Sequence, residues 1–178
     1  MKSITDYIKR YDNILSEDVC DQICNVDERA FEEGIISDGQ KNKKIRNCIQ
    51  KKLEKKFELF IQEAVQQVLI KYIKDHANFY TGLSVEDTGF EHLIYRSSDK
   101  AEYKTHVDAM DLYPRVLSIS FTLNKEYEGG NFVFFNDMSY EVKNKKGSAV
   151  VFPSNFCYPH AITPVTKGTR QAIVTWIR

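Results

Sequence analysis

Long apolar runs, cysteine, proline and net charge are all scarce in this sequence, and each scarcity excludes something. No stretch approaches the roughly 20 apolar residues that a membrane-spanning helix needs, so no membrane partner is expected. Four cysteines (Cys20, Cys24, Cys48 and Cys157) are too few and too scattered for a disulfide scaffold. Cys20 and Cys24 stand one helical turn apart, but no other cysteine or histidine lies near them in sequence, which favours buried helix positions over a metal site. Residues 1–10 hold no apolar run followed by a small-residue cleavage site, so the expectation is a chain that is not secreted and works in a reducing cytoplasm. Lysine plus arginine equals aspartate plus glutamate at 25 each, which argues against a large basic footprint and hence against a nucleic-acid partner. With four prolines and eight glycines there is no flexible linker, and no repeat or low-complexity tract is visible.

What remains is an ordinary globular composition, 42% hydrophobic and 28% charged, in 178 residues, enough for one domain with a real core. The expected division is mainly helical support over 1–76 and a strand-rich core over 77–178. Residues 11–15 read as a short strand. Ser16 then offers an N-cap with Glu17 and Asp18 in the first turn, predicting a helix to about Phe31. Ile35, Ile36, Asp38-Gly39, Lys44 and Ile45 read as a small hairpin or mobile loop. Ile49, Leu53, Phe57, Phe60, Ala64, Val68 and Tyr72 recur at spacings of three and four, which predicts a second helix with one apolar face. Lys51, Lys52, Lys55 and Lys56 fall largely on its other, solvated side. Short β-branched and aromatic runs follow at 89–95, 103–107, 116–123, 132–135, 149–152 and 171–177. Turn signals separate them at 97–99, 128–130, 144–147 and 167–168. Helices followed by strands predict an α+β fold, with the strands in a sandwich or jelly roll rather than a doubly wound parallel sheet.

Within the strand region, Tyr103-Lys104-Thr105-His106-Val107-Asp108 places an imidazole and a carboxylate two residues apart, on one face of an extended strand. A second histidine, His160, follows on a later strand. Two histidines and one carboxylate on one side of a metal leave its other positions open, the arrangement non-haem Fe(II) oxygenases need for co-substrate and dioxygen. The pair alone is weak, since a strand histidine beside an acid is commonplace. Ten residues after His160 stands Arg170, whose planar fork binds carboxylates through two parallel hydrogen bonds. Pointing into a small barrel it would need an anionic partner, and the distal carboxylate of 2-oxoglutarate is one.

These residues, with Tyr95, Arg115-Val116-Leu117, Glu128-Gly129-Gly130, Lys145-Lys146-Gly147, Val150-Val151-Phe152, Gly168-Thr169-Arg170 and Thr175-Trp176-Ile177 in order, resemble the prolyl 4-hydroxylase-like branch of the 2-oxoglutarate and Fe(II)-dependent dioxygenases. More faintly, residues 11–16 and Ile45-Arg46, taken as opening the long helix, resemble its N-terminal part. The resemblance implies a double-stranded β-helix braced by N-terminal helices. It implies Fe(II) held by His106, Asp108 and His160, and 2-oxoglutarate held by Arg170 and Tyr95, with Thr122 facing the same pocket. It further implies Trp176 near the substrate, dioxygen as oxidant, ascorbate as a candidate accessory reductant, and a proline-containing peptide or protein as substrate. Collagen-type members carry lysine where this chain has Arg170, which weakens a collagen-like substrate.

Two rivals stand beside this. The same chemistry on a free amino acid or small metabolite is one, with the loop over 32–44 as the segment that would decide. The other is a non-redox, cupin-like metal site, which would call for more histidines and a glutamate. His92 and His76 are expected to be structural, His92 in a strand and His76 at the end of the long helix, capping it or meeting solvent.

Overall fold

Ser16 ends an extended stretch and starts a helix, because its Oγ accepts the Val19 N–H at 3.3 Å while Glu17 and Asp18 occupy the first turn. The computed structural model describes residues 2–36, 39–77, 86–109 and 114–178. In it, helix α1 is Glu17–Cys24 and helix α2 is Lys55–Asp75. The strands are β1 (Lys9–Tyr11), β2 (Glu32–Glu33), β3 (Ile49–Lys52), β4 (Glu91–Arg96), β5 (Tyr103–His106), β6 (Leu117–Thr122), β7 (Tyr127–Gly129), β8 (Phe132–Phe134), β9 (Tyr140–Val142), β10 (Ala149–Pro153), β11 (His160–Ile162) and β12 (Val165–Ile177).

They form two antiparallel sheets arranged as a double-stranded β-helix, or jelly roll. The larger runs β1-β10-β6-β12-β4-β3-β2, with β7 on β12, and the smaller β5-β11-β8-β9. Strand alternation sorts side chains into two cores. Leu117, Ile119, Phe121, Ala149, Val151, Ile173 and Ile177 leave the large sheet on one side and bury against α2, which offers Phe57, Ile61, Ala64, Val65, Val68, Leu69 and Tyr72. Each large apolar side chain buried there stabilises by about 1.5–3 kcal/mol. The opposite face meets the small sheet, where Leu93, Tyr95, Val150 and Phe152 pack with Phe132, Phe134, Val142 and Ile162. No described helix is long and apolar enough to cross a membrane.

Several elements differ from the sequence expectation. The helix after Ser16 stops at Cys24, not Phe31, because Asp27 caps a separate 3-10 turn, Glu28–Ala30, by accepting the Arg29 N–H. The first strand is Lys9–Tyr11 rather than 11–15. Asn13, at φ 57°, breaks extension, and the Ile14 and Leu15 N–H groups turn to the Gly147 carbonyl. The apolar repeat from Ile49 is not all helix. Ile49–Lys52 is β3, paired with β4 from Ile49–Ile94 to Lys52–Glu91, and Phe60 is exposed. Tertiary pairing overrides a helical period there. Arg46 consequently precedes a strand and does not open the long helix. The expected turn at 167–168 lies inside β12. Gly168 takes φ 70° there, and a Cβ would stand 2.3 Å from the Glu126 carbonyl oxygen, so only glycine lets β7 approach. Of the expected hairpin at 35–45, Ile35 and Lys41 do bridge, while Asp38 lies outside the described residues.

Candidate metal and co-substrate site

β5 ends at His106, so strand alternation does not carry Asp108 onto the same face as expected. The two meet because side chains beyond the strand hold Asp108. Ser118 Oγ donates to its Oδ2 at 2.7 Å, and Arg115 Nη1 to its main-chain oxygen at 3.4 Å. β11 pairs with β5 at His160–His106 and brings the second imidazole in. His106 Nε2 is 3.5 Å from Asp108 Oδ1, and His160 Nε2 is 3.6 Å from Oδ2. One donor atom from each of the three residues lies within 4.8 Å of the others, the one such group among the described residues.

Protonation suits a cation. His106 Nδ1 is 2.8 Å from the Lys104 carbonyl and His160 Nδ1 is 3.2 Å from the Tyr158 carbonyl. A carbonyl only accepts, so each Nδ1 donates, which leaves the Nε2 of each ring facing Asp108. Burial pushes His160 down to about 4, against the pull of Asp108, so it is neutral at neutral pH. Burial alone would raise the Asp108 carboxyl. His160, His106 and the Ser118 hydroxyl outweigh it and hold the group well below the usual carboxylate range. Metal–nitrogen and metal–oxygen bonds of about 2.0–2.2 Å place neighbouring donors about 3 Å apart. The set therefore fits one first-row divalent ion after small side-chain adjustments.

The three residues open onto a cavity of about 390 Å³ that also holds Tyr95, Arg170 and Trp176. Arg170 is 1% exposed, and among the described residues no carboxylate lies within ion-pair distance of it. Its Nε has no hydrogen-bond partner, and its guanidinium lies over the rings of Tyr95 (5.2 Å) and Phe132 (5.8 Å). Gly130 makes room for it, since a Cβ there would stand 2.8 Å from Arg170 Cδ. Tyr95 is fully buried opposite Arg170 in the β4–β12 register, and burial raises its hydroxyl above the ordinary tyrosine value. Thr122 is not brought to the cavity. It shares the inward face of β6 with Ser118 and Ser120 but sits at the strand end against Ala172, its hydroxyl buried without a partner. Trp176 is half-buried on the wall, with Arg115 3.7 Å from its ring centre.

Residues that carried no expected role also line the cavity. Tyr103 stacks on His106 at 3.6 Å, and burial raises its hydroxyl. Arg46 is buried above Tyr103 at 4.9 Å and donates to the Ile35 carbonyl at 2.6 Å. Tyr103, three residues before His106, was the one with a sequence signal. The other two histidines lie elsewhere. His92 is buried against Gln171 at 2.8 Å. His76 caps α2 and is buried beside Tyr7, rather than meeting solvent. Cys20 is buried and Cys24 half-buried, both as free thiols whose values burial raises.

The comparisons with known proteins agree with this geometry. The family described as the 2OG-Fe(II) oxygenase superfamily matches residues 91–178. A PKHD-type hydroxylase of Colwellia psychrerythraea is 28% identical over 160 residues, covering 85% of this chain and 69% of that protein. One from Alteromonas mediterranea is 37% identical over 94 residues, covering 47% and 41%. The chain thus spans from under half to just over two thirds of these two relatives. Among solved structures, a Trichoplax adhaerens prolyl hydroxylase in complex with a hypoxia inducible factor peptide superposes with a TM-score of 0.77 at 16% identity, over 97% of this chain and 84% of that one. The viral collagen prolyl hydroxylase of Paramecium Bursaria Chlorella virus-1 gives 0.73 at 21% identity, over 97% and 96%. At such identities the superpositions speak for the fold.

Proposed function

We propose, from the match of residues 91–178 to the 2OG-Fe(II) oxygenase superfamily, that this chain is a 2-oxoglutarate-dependent hydroxylase acting on a prolyl residue of a peptide or protein. The observation that carries the proposal is one cavity holding both the His106, Asp108 and His160 donors and a buried Arg170 without an acid. In this account those three residues hold Fe(II). The chemistry that Fe(II) supplies when bound is oxidative decarboxylation of 2-oxoglutarate by dioxygen, giving succinate and carbon dioxide while one oxygen atom enters a substrate C–H bond.

The protein's part is to bind and orient. Arg170 takes the distal carboxylate of 2-oxoglutarate through its planar fork, and the Tyr95 hydroxyl, kept protonated by burial, donates beside it. The walls of Phe132, Phe152 and Tyr103 keep water from the reacting atoms. Trp176 with Arg115 stacked on it gives a flat surface for a ring, and the loop residues Ile35 and Ile36 border the same opening. A proline-containing segment is pre-extended and loses little entropy on lying there. Four free cysteines fit a reducing compartment such as the cytoplasm.

The test offers proline-containing peptides, free proline and a panel of other amino acids with Fe(II) and 2-oxoglutarate, read by mass spectrometry. One added oxygen on peptidyl proline, matched by succinate, is the expected result. Turnover of a free amino acid alone, with every peptide inert, would overturn the substrate and leave the small-molecule alternative.

A further inference from the structure

Asp108 stands beyond the last residue of β5, where no ladder of main-chain hydrogen bonds holds it, and a free aspartate side chain has several rotamers. Its Oδ2 accepts the Ser118 hydroxyl at 2.7 Å, and Ser118 Oγ lies 2.8 Å from Ser154 Oγ. An ionised carboxylate only accepts, so Ser118 must give its proton to Asp108, and its own oxygen is left to accept from Ser154. The chain of donors therefore has one direction, from Ser154 through Ser118 to Asp108.

Both serines are buried, 3% and 1% exposed, so water does not compete for these bonds. Their placement follows from the strands. Ser118 lies on β6 opposite Phe152 of β10. Ser154 follows the end of β10, anchored by its N–H to the Val116 carbonyl, in the turn that leads to β11 and His160. The two hydroxyls thus join three segments: the tail of β5, the start of β6 and the turn before His160.

We infer that Ser118 is a positioning residue for the metal site, with Ser154 orienting it, and that together they restrict Asp108 to one carboxylate oxygen toward the metal. The inference rests on the proposed assignment of His106, Asp108 and His160 as ligands. Each carboxylate oxygen faces one imidazole, Oδ1 His106 Nε2 at 3.5 Å and Oδ2 His160 Nε2 at 3.6 Å, and Oδ1 is the one that accepts no hydroxyl. A carboxylate free to bind through both oxygens would take a coordination position that the co-substrate and dioxygen need. Outer partners of this kind typically change metal affinity by about ten- to hundredfold when removed.

The test uses the full chain and two metals, with no turnover required. Mn(II) affinity is read from the free-ion resonance in electron paramagnetic resonance, and coordination from the visible absorption of the Co(II)-loaded protein. Ser118→Ala is expected to weaken Mn(II) binding about ten- to hundredfold and to alter the Co(II) spectrum. Ser154→Ala should do the same to a smaller degree, and Ser118→Thr, which keeps the hydroxyl, should restore both. A purely structural role would lower the unfolding midpoint and leave affinity and spectrum unmoved. Wild-type affinity and spectrum in Ser118→Ala overturn the inference while the ligand assignment stands. If Ser118→Ala does not fold, unchanged Mn(II) affinity in Ser154→Ala overturns it equally. Failure of the unaltered protein to bind Mn(II) would instead remove the ligand assignment, and this inference with it.

Discussion

His106 and His160 each send Nδ1 to a carbonyl two residues earlier in the chain, Lys104 and Tyr158, so both rings present Nε2 to the same carboxylate. That repeated local bond does for the histidines what Ser118 does for Asp108. Arg170 has no such local support; it lies between aromatic faces, and in the proposed account its partner is the distal carboxylate of 2-oxoglutarate. Arg170→Ala should therefore raise the 2-oxoglutarate concentration needed for half-maximal succinate formation by about a hundredfold, the effect of losing about 2–3 kcal/mol of charge-assisted hydrogen bonding. Mn(II) affinity should move far less. An unchanged 2-oxoglutarate dependence would make Arg170 a structural residue. That His106, Asp108, His160 and Arg170 border one cavity was legible from their order and the family resemblance, while the meeting of His106 and Asp108 depends on Ser118 and Arg115 rather than on the strand alternation expected. Ser118, Ser154, Arg46 and Arg115 were not given roles, because serine and arginine are ordinary at such positions. Only the approach of β6, β10 and residues Ile35, Ile36 and Arg46 to the cavity gives them one.

Between elements, β4 and β12 are joined by a side-chain bond as well as by their ladder. Gln171 Oε1 can only accept, so His92 Nε2 donates to it at 2.8 Å, and His92 Nδ1 is left buried without a partner. Charging this ring would place a cation in the core, and burial pushes its value down to about 4 from 6.5, outweighing the bond from Gln171. The folded value is below the unfolded one, so the unfolded chain binds more protons between them. Stability from this group is present above about pH 6.5 and is lost as pH falls toward 4, by about 2–3 kcal/mol. His160 shifts in the same direction and adds to the loss in metal-free protein. Urea unfolding of the metal-free chain from pH 7.5 to 4.5 should show this decline, and His92→Gln should flatten part of it. A slope identical to wild type would contradict the assignment. At this scale the sequence was legible where period and burial agree, as in α2 from Phe57 to Tyr72. It misled where they part. Ile49 and Leu53 keep the helical spacing, but Ile49 is in β3, because pairing with β4 satisfies its main chain better than another helical turn would.

Over the whole molecule, the strand-rich half reads as a jelly roll from its short runs and turn signals. The contribution of the first half to the large sheet does not. Lys9–Tyr11 pairs with β10 some 140 residues away, Lys9 with Val151, and Glu32–Glu33 closes the other edge through β3. No local pattern encodes partners so distant in sequence, whereas the apolar stripe of α2 announces that some sheet must cover it. The result is a frame in which α2 packs one face of the large sheet and the opposite face, closed by the small sheet, carries the cavity. The central claim is that this cavity performs Fe(II)-dependent decarboxylation of 2-oxoglutarate through His106, Asp108 and His160. It is tested most directly by following succinate by NMR with 2-oxoglutarate, dioxygen and added Fe(II), for wild type beside His160→Ala. The account predicts succinate from the wild type only when Fe(II) is present and a loss to background in the variant. Succinate formed at equal rates by both proteins, or by neither under any supply of Fe(II), would contradict it.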